Sequence, residues 1–231
     1  CRARQDRLRL LLAEANIDAV ALVHPLEIYY FTGVLLPEQF PAQPALLWIE
    51  AGGASWLAAH SDLGEPLVDA CYTYECSVGG TINSYMRTQL SELVAERLQA
   101  RGTRASRIGY QREFMPRMLA EHVDRGLGAA AEWVDMDEAL HRMQEVKDSD
   151  EIDLIRKAVQ VDLAAYDAAQ RAITPGVSEL QVLGAAQQAA HLAAGEKVFH
   201  DGDYQCGQLG GPARDRAIEE GELYIIDAWV I

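Results

Sequence analysis

Cysteine is scarce in this 231-residue chain: Cys1, Cys71, Cys76 and Cys206 form no CxxC pair, and no histidine stands at zinc-finger spacing from them. That pattern argues against a structural zinc site. Cys71 and Cys76 have disulfide-compatible spacing, but a chain of this size points to ordinary thiols in a reducing, cytoplasmic setting. Long apolar runs are missing too, with nothing near the roughly 20 residues that span a bilayer. The basic start from Arg2 to Arg7 leads into an amphipathic segment rather than a signal-peptide core, so no membrane partner is expected. Positive charge is sparse, with 20 Lys and Arg against 35 scattered Asp and Glu, a formal charge of −15. Nucleic acid is therefore a poor partner. No internal repeat or low-complexity tract interrupts the chain.

What is present is an alternation of periodic segments. Leu8, Leu11, Leu12 and Ala15 recur at helical spacing, and the continuous apolar run 19–23 then ends at His24-Pro25, which predicts a helix followed by a buried strand. Helical turns around Ile28 and Phe31 close at Gly33, and a proline-rich stretch from Pro37 to Pro44 leads into a strand over 45–49. Gly52-Gly53 predicts a hairpin to a strand over 55–58. A helix marked by Leu90, Val94 and Leu98, a strand over 107–110, a helix through Met115 and Val123 and a strand over 132–134 complete an α/β pattern with a mixed or mostly parallel sheet.

From Asp148 the texture changes. Ile152, Ile155, Val159, Leu163, Tyr166 and Ile173 trace one face of a long helix, with Asp148 and Glu151 as its capping box and Thr174-Pro175-Gly176 as its end. Ser178 and Gln181 predict a second capping box, Val177 and Val182 a hydrophobic staple, and Gly195 the close of that helix. Two domains are expected, 1–138 and 139–231.

Several residues carry chemistry. Asp227 follows the apolar run 223–226. A carboxylate ending a buried strand must be paired, hydrogen-bonded or bound to a cation, or else starts a loop by bonding its own backbone. His200-Asp201-Gly202-Asp203 admits a metal clip, but Asp-Gly reads first as a turn. The run 206–211 lacks the lysine and spacing of a phosphate loop, so its glycines read as sites of close backbone approach. Cys206 as a nucleophile would need His200, whereas a buried thiol needs no partner. Arg214 and Arg216 read as solvated surface charges rather than a carboxylate fork. Trp229 reads as core before pocket lining, and His24 as a loop imidazole at a strand end.

Arg7-Leu8, then Ile17-Asp18-Ala19, the segments 27–33, 146–152 and 173–180, and finally Arg216 to Asp227 resemble, in that order, the creatinase and aminopeptidase P family of metallopeptidases. The resemblance implies an α/β creatinase-type N-terminal domain, a mixed sheet with flanking helices, followed by the first part of an α+β pita-bread catalytic domain. It implies metal-dependent hydrolysis of an amide bond in small peptides, by an Xaa-Pro aminopeptidase or dipeptidase, and a homodimer. In the family two Asp, one His and two Glu hold two divalent ions that share a hydroxide nucleophile. Manganese is expected, with cobalt or zinc as alternatives.

Only Asp227 maps onto that ligand set. The remaining ligands are expected beyond Ile231, which leaves the catalytic domain incomplete, and no other catalytic residue is assigned. Metal-dependent members also place a histidine shortly before this last segment, where Leu209 and Gly210 stand here. Two further readings follow: a metal-free, creatinase-like amidinohydrolase, or a non-catalytic pita-bread module that binds peptides or proteins.

Overall fold

In the computed structural model, which describes residues 1–36, 43–60, 63–75 and 85–231, a mixed sheet runs through the first of two units, Cys1–Glu145. Its described strands are β1 (Ala19–Leu22), β2 (Leu46–Glu50), β3 (Ser55–Ala59), β4 (Ala70–Thr73), β5 (Arg107–Tyr110) and β6 (Glu132–Asp135), in the order β4-β3-β2-β1-β5-β6. β2 pairs antiparallel with β1 and with β3, while β3–β4, β1–β5 and β5–β6 are parallel. Five helices accompany them among the described residues: α1 (Arg2–Glu14), α2 (Pro25–Thr32), α3 (Met86–Ala100), α4 (Arg117–Leu127) and α5 (Asp137–Glu145).

Side chains alternate across a strand, and here both faces are covered. Val20, Leu22, Leu47 and Ile49 pack with Leu8, Leu12 and Phe31 from α1 and α2 and with Leu140 from α5. Ala19, Ala21, Trp48 and Trp56 face the other way, toward Leu90 and Val94 of α3 and Leu119 and Val123 of α4. Burial on both faces is why β1 and β2 read as unbroken apolar runs instead of alternating ones.

Two elements escaped the sequence pattern. β4 is a short edge strand with alternating burial, and α5 is a polar nine-residue helix that buries Leu140. Because Leu140 and Met136 join the first core, the division between the units falls between Glu145 and Val146 and not near 138. Positions 37–42 of the proline-rich stretch and Cys76 lie outside the described residues, and the disulfide reading of Cys71 with Cys76 lies outside them too.

The second unit, Val146–Ile231, contains α6 (Ser149–Ala172), α7 (Glu179–Ala194), β7 (His200–Cys206) and β8 (Tyr224–Val230), the two strands pairing antiparallel. Both predicted capping boxes form, and Gly195 closes α7 in the left-handed conformation. The buried face of α6 differs from the one its large apolar residues mark. Ile155, Val159 and Leu163 are 47%, 47% and 52% exposed, whereas Ala165 and Ala169 are buried with Val182, Ala186 and Ala190 of α7. Small residues let two helix axes approach closely, so alanines form the seam.

A similar close approach joins α3 to α4. A methyl group on Gly126 would sit 2.7 Å from the Ala95 carbonyl oxygen. Alanine gains up to about 1 kcal/mol over glycine in an unobstructed helix. Gly126→Ala is nevertheless expected to destabilise the first unit by about 1–3 kcal/mol through overpacking. Urea unfolding measures this, and a stabilised variant would contradict the close packing.

Candidate functional site

The β7–β8 ribbon has two unlike faces, set by the two-residue period of the strand. Toward the helices it turns His200, Gly202, Tyr204 and Cys206 of β7, with Tyr224, Ile226 and Ala228 of β8 in the same core. Asp203 lies directly opposite Asp227, and Asp201 opposite Trp229, on the other face. Asp227 and Trp229 are exposed there. Asp227 sits in the middle of β8, since the strand continues to Val230 instead of ending at Ile226. Neither Asp203 nor Asp227 makes an ion pair or side-chain hydrogen bond among the described residues.

His200-Asp201-Gly202-Asp203 is strand and not the turn its Asp-Gly suggested. Gly202 adopts φ +154°, and a Cβ there would overlap the Asp227 carbonyl oxygen, so the glycine serves cross-strand approach. The glycines of 207–211 also serve close approach. Tyr204 N donates to the Gly211 carbonyl at 3.0 Å, which lays this loop along β7, and a Cβ on Gly210 would overlap the Asp203 carboxylate.

Two arginine–glutamate forks hold the ribbon's surroundings. Fully buried Glu179 accepts from Arg214 Nε at 2.8 Å, Arg214 Nη2 at 2.6 Å, and the backbone N–H groups of Cys206 and Arg214, both at 2.8 Å. The Arg214 bonds and these backbone donors outweigh desolvation and pull the Glu179 carboxyl down to about 2. Arg216 makes a second fork with Glu222. Both arginines were expected to be solvated charges. The pairing was not legible because Glu179 and Arg214 are far apart in sequence and Glu179 presents itself only as a first-turn helix residue. Segment 214–218 also closes the start of α7: Glu179 N donates to Arg216 O and Leu180 N to Arg214 O. Those N–H groups would otherwise lack partners.

Beneath the ribbon lies a buried polar chain. His200 Nε2 is 2.8 Å from the Tyr204 hydroxyl, and its Nδ1 is 3.6 Å from Asp162 Oδ1. Burial pushes the Tyr204 phenol up to about 12, so the hydroxyl keeps its proton and shares one buried hydrogen bond with Nε2. Desolvation lowers the His200 pKa and raises that of Asp162. Cys206 is a buried thiol whose pKa is raised, first by burial. The His200 ring engages Tyr204, which leaves Cys206 without the base a nucleophile requires.

Among the described residues, Asp148, Asp150 and Glu151 form a group of three acidic side chains whose oxygens lie within 4.8 Å of one another. They stand at the start of α6, where Asp148 and Glu151 form the capping box. Asp227 is not part of that group.

The family profile described as the Creatinase/Prolidase N-terminal domain matches residues 4–146. The chain belongs to this family. Solved structures similar to this creatinase/prolidase-type chain include a prolidase from Pyrococcus horikoshii, at TM-score 0.71 and 18% identity, over 96% of this chain and 59% of that one. An Xaa-Pro dipeptidase from Bacillus anthracis matches at TM-score 0.70 and 16% identity, over 96% and 59%. An X-Pro aminopeptidase from Thermotoga maritima matches at TM-score 0.66 and 16% identity, over 94% and 58%. At such identities the likeness shows the fold. The creatinase/prolidase-type chain thus spans 59% of the length of the prolidase it matches. No curated protein matches it in sequence. No described helix is long and apolar enough to cross a membrane.

Two outcomes follow for the second unit of this creatinase-type chain. Glu179→Ala leaves the Cys206 and Arg214 backbone donors unpaired and is expected to cost about 3 kcal/mol at neutral pH, read by urea unfolding. The Glu179 contribution is present above its ordinary value of 4.5 and is lost as pH falls toward about 2. The variant should therefore approach wild type in strong acid, and an equal deficit at all pH values would refute the pairing. For His200 the sign is the same and the cause differs: desolvation disfavours the charged ring, so the unfolded imidazole takes up a proton before the buried one. Stability should therefore decline as pH falls below 6.5 toward the lowered folded value. His200→Gln should flatten that decline between pH 7 and 5, as followed by urea midpoints.

Proposed function

We propose that this chain serves metal-dependent hydrolysis of an amide bond in peptides with proline in the second position, as an Xaa-Pro aminopeptidase or dipeptidase. Asp227 is then a ligand to one of two divalent ions. The observation that carries this reading is the placement of Asp227 on the open face of the ribbon, directly opposite Asp203. Like charges facing each other across a ladder are destabilising, and among the described residues no cationic side chain stands between these two. A divalent cation relieves that repulsion, and two carboxylates fit a hard ion with oxygen ligands. Manganese suits them first, with cobalt or zinc as alternatives. The names of the similar structures, prolidase, Xaa-Pro dipeptidase and X-Pro aminopeptidase, point the same way.

When bound, such ions supply an activated hydroxide and offset the charge of a tetrahedral oxyanion. Asp227 holds its ion and transfers no proton. Asp203 shares its face, and Trp229, exposed two residues along the same face, offers an apolar wall to a prolyl ring. A small peptide substrate, a homodimer and a cytoplasmic setting belong to this reading.

A second reading, a pita-bread module that binds peptides or protein partners without catalysis, is favoured by Gly210. Metal-dependent members of the family carry a histidine in this neighbourhood, and here the Asp203 carboxylate fills the space a side chain on residue 210 would take.

Calorimetric titration with Mn²⁺ separates the two. The peptidase reading expects saturable Mn²⁺ binding that weakens at least about tenfold in Asp227→Asn, together with Xaa-Pro dipeptide cleavage by the full-length protein that this substitution abolishes. Unchanged Mn²⁺ affinity and unchanged cleavage in the variant would reject the assignment of Asp227.

A further inference from the structure

We propose that a cleft in the first unit, at the carboxyl ends of β1 and β5, binds a small apolar carboxylate of about amino-acid size, such as an aromatic or branched-chain acid. The topology prepares the place. β1 has antiparallel β2 on one side and parallel β5 on the other. Open α/β sheets place ligands in the crevice beyond the carboxyl ends of parallel strands, where the chain direction or order changes.

The cleft is lined in part by Val23, His24, Arg87, Leu90, Phe114 and Leu119, and its volume is about 210 Å³. That lies below the roughly 300–1,000 Å³ of sites for drug-sized ligands, so it suits one ring or one branched chain.

The walls are held in place before any ligand arrives. Gln111, 2% exposed, accepts from Val23 N at 2.9 Å and His24 N at 3.0 Å through one side-chain oxygen, tying the exit of β1 to the exit of β5. The His24 ring is fixed twice, by Glu27 at 2.5 Å from Nδ1 and by Phe114, whose ring centroid is 4.1 Å away. Leu90 and Leu119 are buried members of the core beneath and give the floor.

The charge of the ligand follows from Arg87. It lies in the first turn of α3, exposed, and its guanidinium makes no ion pair or side-chain hydrogen bond with the described residues. A guanidinium that no carboxylate of the described residues engages, standing at an apolar cleft, is suited to a ligand carboxylate, which it can hold with two parallel hydrogen bonds. The apolar walls then take the ring or branched chain. This assignment is independent of the role given to Asp227.

The test is an amide chemical-shift titration of the intact chain with 3-phenylpropionate, alongside its neutral amide and acetate. The acid should give saturable shifts at Val23, His24, Arg87 and Phe114, with the amide and acetate each weaker. Arg87→Gln should weaken the acid at least tenfold and leave the amide unchanged. Saturable shifts absent from these residues would overturn the proposal, and so would equal weakening of acid and amide in the variant. Arg87 is exposed, so the variant folds without repacking, and a spectrum matching wild type elsewhere verifies this.

Discussion

The second unit depends on a single buried carboxylate. Glu179 reaches from the first turn of α7 to the last residue of β7 and to Arg214 on the returning segment, and all of its bonds converge on two oxygens. A carboxylate with no exposure would be costly if unpaired. Its four donors make it an anchor instead, one that fixes helix, strand and return in a single geometry. The same Arg214 donates to the Cys206 carbonyl at 3.0 Å, so the end of β7 is gripped from both sides.

What the anchor positions is the ribbon, and the ribbon sorts chemistry by face. The face toward the helices carries His200 and Tyr204, kept neutral by burial, over a seam of alanines. The opposite face carries Asp201, Asp203, Asp227 and Trp229. Tyr166 ties the two layers, since its hydroxyl accepts from Ala228 N at 3.1 Å, one residue from Asp227. The carboxylates therefore stand on a strand whose backbone is held from beneath.

The first unit shows how far local signals carry. Its central strands and the helices between them were legible because both sheet faces are buried and the periodic apolar residues of the helices pack on them. β4 and α5 were not, since a four-residue edge strand and a polar nine-residue helix bury too little to leave a pattern. On α6 the pattern was present and misleading. Large apolar residues marked one face, while the packing used alanines, which carry little hydrophobic signal but allow close approach.

The amino-acid sequence by itself determined the helix ends, through the capping boxes at Asp148 and Ser178, the hairpin at Gly52-Gly53, and the alternation that makes the first unit α/β. These are interactions between residues a few positions apart, and their spacing is their geometry. Only the tertiary structure decided that Asp203 faces Asp227, that Arg214 belongs to Glu179, that Asp162 meets His200, and that Arg87 lines one cleft with His24 and Phe114. Each joins segments brought together by strand register or helix packing, and register is set by the burial of whole faces rather than by the residues that meet across them.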